Sequence, residues 1–179
     1  MRYLLIIILL FTSQAYAADH PMYITSIQNY AREINKTSDF KVLKEWNNVL
    51  KRQPITSGTK KPNYTTLREI NADCNNKAYK SNLKWPTPEE FKASDSADCK
   101  GFSVCKYYAL RKAGWKPSQL NLWSGDYKGK SHMILVVELD NEEYVLDIGA
   151  EANLPHARDY FYKDFMPSWR FNENGWDVN

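Results

Sequence analysis

The chain has 179 residues, 43% of them hydrophobic, with 24 Lys and Arg against 21 Asp and Glu for a formal net charge of +3. That near balance excludes the strongly basic surface of a nucleic-acid binder. The length supports one domain with a real core and excludes two comfortable ones.

In chain order, Arg2 precedes an unbroken apolar stretch from Leu4 to Phe11, and Ala15-Tyr16-Ala17 has the small-x-small pattern of a cleavage site. Residues 1–17 therefore read as a signal peptide, with Ala18 as the new N-terminus and 18–179 as a single exported domain. The apolar stretch is far short of the roughly 20 residues that a membrane span requires. Two amphipathic helices are expected over 22–35 and 39–52. The second carries Phe40, Leu43, Trp46, Val49 and Leu50 at helical spacing behind a Ser38 cap. The segment from Pro54 to Pro62, with Gly58, Lys60 and Lys61, reads as the loosest part of the chain. A third helix is expected over 65–81. Thr87-Pro88-Glu89-Glu90 is a capping box with Pro at the first helical position, so a short helix starts there. The next helix opens at Asp98-Cys99 and closes at Gly114.

The second half reads as strands. Leu120 to Trp123 is short, and a polar loop containing Gly125 and Gly129 is expected after it. His132 to Leu139 is apolar on both faces and so belongs in the interior of a sheet. Asp140-Asn141-Glu142-Glu143 forms a hairpin turn into the strand Tyr144 to Gly149, and a last strand is expected near Ser168 to Phe171. Helices followed by an antiparallel sheet define an α+β fold.

Three cysteines are present. Cys74 shares a helical stripe with Leu67, Ile70 and Ala78, and Cys105 shares another with Phe102 and Ala109. A Cys74–Cys105 bridge would leave Cys99 as the free thiol; two buried thiols are the alternative, and both stand open. Tyr (12) and Trp (6) are plentiful, as in grooves that hold extended peptides or sugars, although core packing accounts for most such rings.

A thiol at a helix N-terminus sits where unpaired N–H groups and the helix dipole favour the thiolate, so Cys99 is the candidate nucleophile. His132 is the candidate base. Asp147 interrupts an apolar strand, where a carboxylate must be paired, and an imidazole is one natural partner. A turn centred on Asn141–Glu142 sets Asp147 opposite Val136, on the face of His132 but about 13 Å along the strand from it. Bringing the two together requires a bulge or a shifted register.

Ala97-Asp98-Cys99-Lys100 running into Tyr107-Tyr108-Ala109-Leu110-Arg111-Lys112-Ala113-Gly114, then His132 to Val137, then Tyr144-Val145-Leu146-Asp147, resembles the bacterial transglutaminase-like cysteine proteinases. Trp85-Pro86-Thr87-Pro88-Glu89-Glu90-Phe91 resembles the family's Trp-x-x-Pro-x-Glu approach to its Cys, and Phe171 to Trp176 resembles its closing segment. The resemblance implies a papain-like, transglutaminase-like core with helices packed on an antiparallel sheet. It implies Cys99 as nucleophile, His132 as general base and later acid, and Asp147 as the residue that fixes the imidazole. Trp85 is the candidate second oxyanion donor in the substrate site. The implied activity is endoproteolysis of surface adhesins in the periplasm, releasing cells from biofilms, with an inner-membrane receptor of cyclic di-GMP as regulatory partner. A protein or peptide substrate and a monomeric enzyme are expected.

The family flanks its Cys with acidic residues that help bind calcium. Asp98 is retained as a candidate calcium ligand, but Lys100 and Gly101 stand where further acids would follow. A Lys opposes Ca²⁺, so no cofactor is expected. Two alternatives share these residues: another acyl transfer or amidase reaction by the same triad, and an inactive peptide-binding module of the same fold.

Overall fold

The apolar spacing of the second expected helix produces α1 (Ser38–Arg52), which turns Trp46 and Val49 into the core. The Trp46 indole donates to the Asn172 carbonyl at 3.0 Å and packs edge-on against Tyr107 and Phe171. The computed structural model describes residues 38–81, 84–150, 153–161 and 163–177. The expected signal peptide and the helix over 22–35 lie outside the described residues. Nearly all of the described chain belongs to one unit, Phe40–Asn179. No described helix is long and apolar enough to cross a membrane.

Helix α2 (Tyr64–Asn75) starts on Asn63, whose side chain accepts from the Thr66 N–H at 2.9 Å. It ends six residues before the boundary expected from the sequence. Ala78–Tyr79 leave the helix to form β1, paired in parallel with β2 (Ser96–Ala97), so tertiary strand pairing overrides the helical periodicity there. Between β1 and β2 lies α3 (Pro88–Ala93), opened by the expected capping box of Thr87 and Glu90. The Arg52 guanidinium reaches Glu90 at 2.8 Å and ties α3 to α1.

Helix α4 (Cys99–Lys112) is capped by Asp98 and packs on α2, α3 and the sheet. Its chain turns away at Gly114, with a φ of +105° that L side chains rarely adopt. The 54–62 segment, expected to be loose, is pinned on this end of α4. The Gly58 N–H donates to the Arg111 carbonyl at 2.9 Å, and Ser57 accepts from Arg111 at 2.6 Å. The Cys74–Cys105 disulfide joins α2 to α4 across a Cα separation of 6.0 Å, leaving Cys99 as the free thiol.

A short 3-10 turn (Pro117–Gln119) leads into the five-stranded antiparallel sheet, ordered β5-β4-β3-β6-β7. The strands are β3 (Leu120–Tyr127), β4 (Lys130–Leu139), β5 (Glu142–Leu146), β6 (Phe165–Asn172) and β7 (Gly175–Asp177). Together with the helices this is the expected α+β architecture. β3 runs four residues beyond its expected end. The polar loop foreseen there is instead strand plus a two-residue turn at Lys128 and Gly129, both at positive φ. The last strand is likewise longer than 168–171, and β7 adds an edge.

β4 is interior, as its apolar run required. Ile134 and Val136 join Trp123, Val145, Ala157 and Phe165 in one core cluster, beside α5 (Ala157–Tyr160). Met133, Leu135 and Val137 alternate to the opposite face and are buried too. The β4–β5 turn is centred one residue earlier than expected. Asp140 and Asn141 occupy it at positive φ, so Leu139 pairs Glu142 and Val136 pairs Val145.

Candidate active site

That register change decides the site. Asp147 follows β5 directly, and continuing the pairing sets it opposite Ile134 rather than Val136. His132 is then a diagonal neighbour, about 7–8 Å away between backbones and within reach of an imidazole. No bulge between β4 and β5 is needed. His132 Nε2 lies 2.9 Å from both Asp147 carboxylate oxygens. The carboxylate therefore occupies Nε2, which leaves Nδ1 as the ring nitrogen open to a second partner. The structure brings His132 and Asp147 into direct contact, with the Cys99 thiol close enough to the same imidazole to help raise its pKa.

Cys99 stands first in α4 and is 9% exposed. Asp98, the preceding residue, spends one carboxylate oxygen on the Gly101 N–H at 3.2 Å and the other on the Lys100 ammonium. This arrangement does not fit Ca²⁺, which takes six to eight oxygen ligands. A cation already holds the second oxygen, and Gly101 has no side chain to offer. Among the described residues no group of three or more His, Cys, Asp or Glu is placed to hold a metal ion.

The electrostatics of the trio oppose its burial. Desolvation pulls the His132 imidazolium down, but its hydrogen bonds and charge interactions with Asp147 and Cys99 outweigh that and raise it to about 9. Burial likewise works against the Asp147 carboxylate. Its bonds to His132, the Tyr160 hydroxyl and the Ile148 N–H still hold it below the usual carboxylate range. Tyr160 donates to Asp147 at 2.6 Å, and Ile148 N–H does so at 2.7 Å.

Aromatic rings wall the imidazole. Tyr127 lies 5.4 Å from the His132 ring, Phe165 lies 6.4 Å from it edge-on, and Tyr160 stacks on Tyr127. Gly125 pairs with His132 across β3–β4, and its missing side chain makes this wall possible. A Cβ there would meet the Met166 carbonyl and come within 2.6 Å of the Phe165 ring. Sequence reasoning missed Gly125, expecting it in a loop, and missed Tyr160, which lies in the aromatic segment after Pro155 where no periodicity points anywhere. Trp85 is placed in a different aromatic group. It is 3% exposed, with its ring 6.1 Å from Phe171 and its carbonyl accepting from Arg52 at 2.7 Å.

A helix whose first residue is a thiol, set against an antiparallel sheet that carries the imidazole and carboxylate, is the transglutaminase-like architecture. The chain belongs to the family described as bacterial transglutaminase-like cysteine proteinase (BTLCP), which matches over residues 29–173. It is thereby a cysteine peptidase by family. Among solved structures it is similar to Legionella pneumophila LapG in three forms. The calcium-bound form is 22% identical with a TM-score of 0.59, over 85% of this chain and 87% of that one. A second LapG structure is 23% identical with a TM-score of 0.59, over 87% of each chain. The EGTA-treated form is 22% identical with a TM-score of 0.60, over 88% of this chain and 85% of that one. No curated protein matches.

Proposed function

We propose that this chain is a periplasmic cysteine endopeptidase acting on envelope proteins, surface adhesins first, with Cys99, His132 and Asp147 as its triad. The observation that carries the reading is a half-buried imidazole in contact with a buried carboxylate and next to a thiol at a helix N-terminus. His132 takes the thiol proton and holds it until the leaving group needs it, because Asp147 stabilises the imidazolium. The Cys99 thiolate attacks the peptide carbonyl, and the Cys99 backbone N–H meets the developing oxyanion. His132 returns its proton to the leaving amine, then activates the water that releases the acyl group. The signal-like segment over 1–17 supports export and cleavage ahead of Ala18. Control by an inner-membrane receptor belongs to the same proposal.

Alkylation by iodoacetamide tests the chemistry without a known substrate. Cys99 should react at pH 6–7 well above the rate of an unperturbed thiol, whose pKa is about 8.5. His132→Ala should return it to that ordinary rate. Adhesin fragments cut by the wild type and spared by Cys99→Ala would establish the protease. Labelling no faster than in the unfolded chain with its disulfide intact would instead make this a binding module.

A further inference from the structure

Asp147 is gripped by more than the bonds to its carboxylate. The backbone around it carries donors from two helices. Lys106 of α4 reaches the Leu146 carbonyl at 3.4 Å. Asn75 of α2 donates to the Asp147 carbonyl at 2.9 Å, and Asn71 of α2 donates to the Ala150 carbonyl at 2.9 Å. Asn71 and Asn75 are four residues apart and so share one face of α2. Asn71 is fully buried. These amides replace the sheet ladder, which β5 leaves at Leu146, for a segment that contains Gly149 at a φ of +85°.

The same helix is anchored at the neighbouring residue. Cys74 precedes Asn75 and is bonded to Cys105 in α4, the helix that begins at Cys99. One covalent link and two amide hydrogen bonds thus connect the nucleophile's helix to the carboxylate's loop by a route that bypasses the sheet.

We infer that α2 is a brace for the site: Asn75, supported by Asn71, is a positioning residue that fixes Asp147 against His132, and the Cys74–Cys105 disulfide holds that brace at a set distance from Cys99. The inference rests on the triad proposed above. Its physical content is a distance. The imidazolium is stabilised by a carboxylate in direct contact, and that stabilisation falls when the loop backs away. His132 then releases its proton at lower pH and becomes a poorer acceptor for the Cys99 proton.

Cys74 and Cys105 are joined, and the sequence contains three cysteines, so Cys99 is the one thiol that iodoacetamide can label in the oxidised protein. Asn75→Ala and the near-isosteric Asn75→Leu, which keeps the bulk and loses the N–H donor without adding a charge, should both slow alkylation at pH 6.5 by about tenfold, equivalent to one unit in the His132 pKa. The rates should converge with wild type above roughly pH 9.5, where an ordinary thiol is ionised without help. The Cys74→Ser/Cys105→Ser double variant should slow it in the same direction by roughly threefold. Should Asn75→Ala not fold, the isostere carries the test. Folded Asn75 variants with an unchanged pH profile would overturn the brace while leaving the triad standing. A wild-type Cys99 with no enhanced reactivity at neutral pH would overturn the triad, and the brace with it.

Discussion

The two ends of α4 can be set side by side. At the C-terminal end, Arg111 is 8% exposed, and its guanidinium is consumed by protein groups: Glu173 at 2.7 Å, Ser57 at 2.6 Å and the Trp115 carbonyl. Those bonds tie the 54–62 segment and the β6–β7 turn to the helix. At the N-terminal end Tyr160, Ile148 and His132 all bond to the Asp147 carboxylate, and the imidazole in turn faces a thiol. One network closes on itself and holds the fold together. The other terminates on a group that has lone pairs to give away. Burial of polar groups is thus no guide to chemistry on its own; what separates the two ends is where the hydrogen bonds stop.

Breaking the N-terminal network should give the largest effect. Asp147→Asn removes the charge that keeps the imidazolium protonated, and turnover should fall by roughly 10³-fold or more. The same variant should change the pH dependence of stability. In the wild type, His132 rises from its ordinary 6.5 to about 9 on folding, so its stabilising contribution is complete below pH 6.5 and is lost as pH rises through 9. Denaturant melts across that window should show the loss in wild type and a flatter profile in Asp147→Asn.

Breaking the C-terminal network should separate stability from reactivity. Arg111→Ala leaves Glu173 without its partner in a largely buried place and should cost about 3 kcal/mol, a fall in Tm of roughly 6–12 °C. Cys99 alkylation below the melting range should be unchanged. A loss of alkylation in folded Arg111→Ala would erase the distinction between the two ends.

The smallest effect sharpens the comparison. Tyr160→Phe keeps the ring stack on Tyr127 and removes one donor from the Asp147 carboxylate. That negative charge is then shared with fewer protons, so it attracts the imidazolium more strongly. The alkaline limb of the activity profile, where the His132 imidazolium loses its proton, should move upward by a fraction of a unit. A downward shift would mean that Tyr160 acts mainly by holding Asp147 in place.

Much of this was readable from local pattern. The capping box at Thr87, the interior character of β4 and the placement of Cys99 at a helix start follow from spacing, charge and cap chemistry, which act within a turn or two of chain. The errors arose where distant segments compete for the backbone. Residues 78–79 look helical until Ser96–Ala97 offer them a strand partner. Residues 124–127 look like a loop until β6 pairs with them and Phe165 fills the space beside Gly125. The hairpin was misplaced by one residue at its centre, a small error that left strand parity intact but doubled the apparent gap between His132 and Asp147.

By itself, then, the order of residues determined the family, the α+β class, the helix-borne thiol and the identity of the three side chains worth watching, because motif spacing and side-chain chemistry are properties of short stretches. Tertiary structure alone decided that the imidazole and carboxylate meet, that Tyr160, Gly125 and the α2 asparagines surround them, and that Cys74 and Cys105 join. Those facts depend on register and on which surfaces bury one another, quantities that no single segment contains.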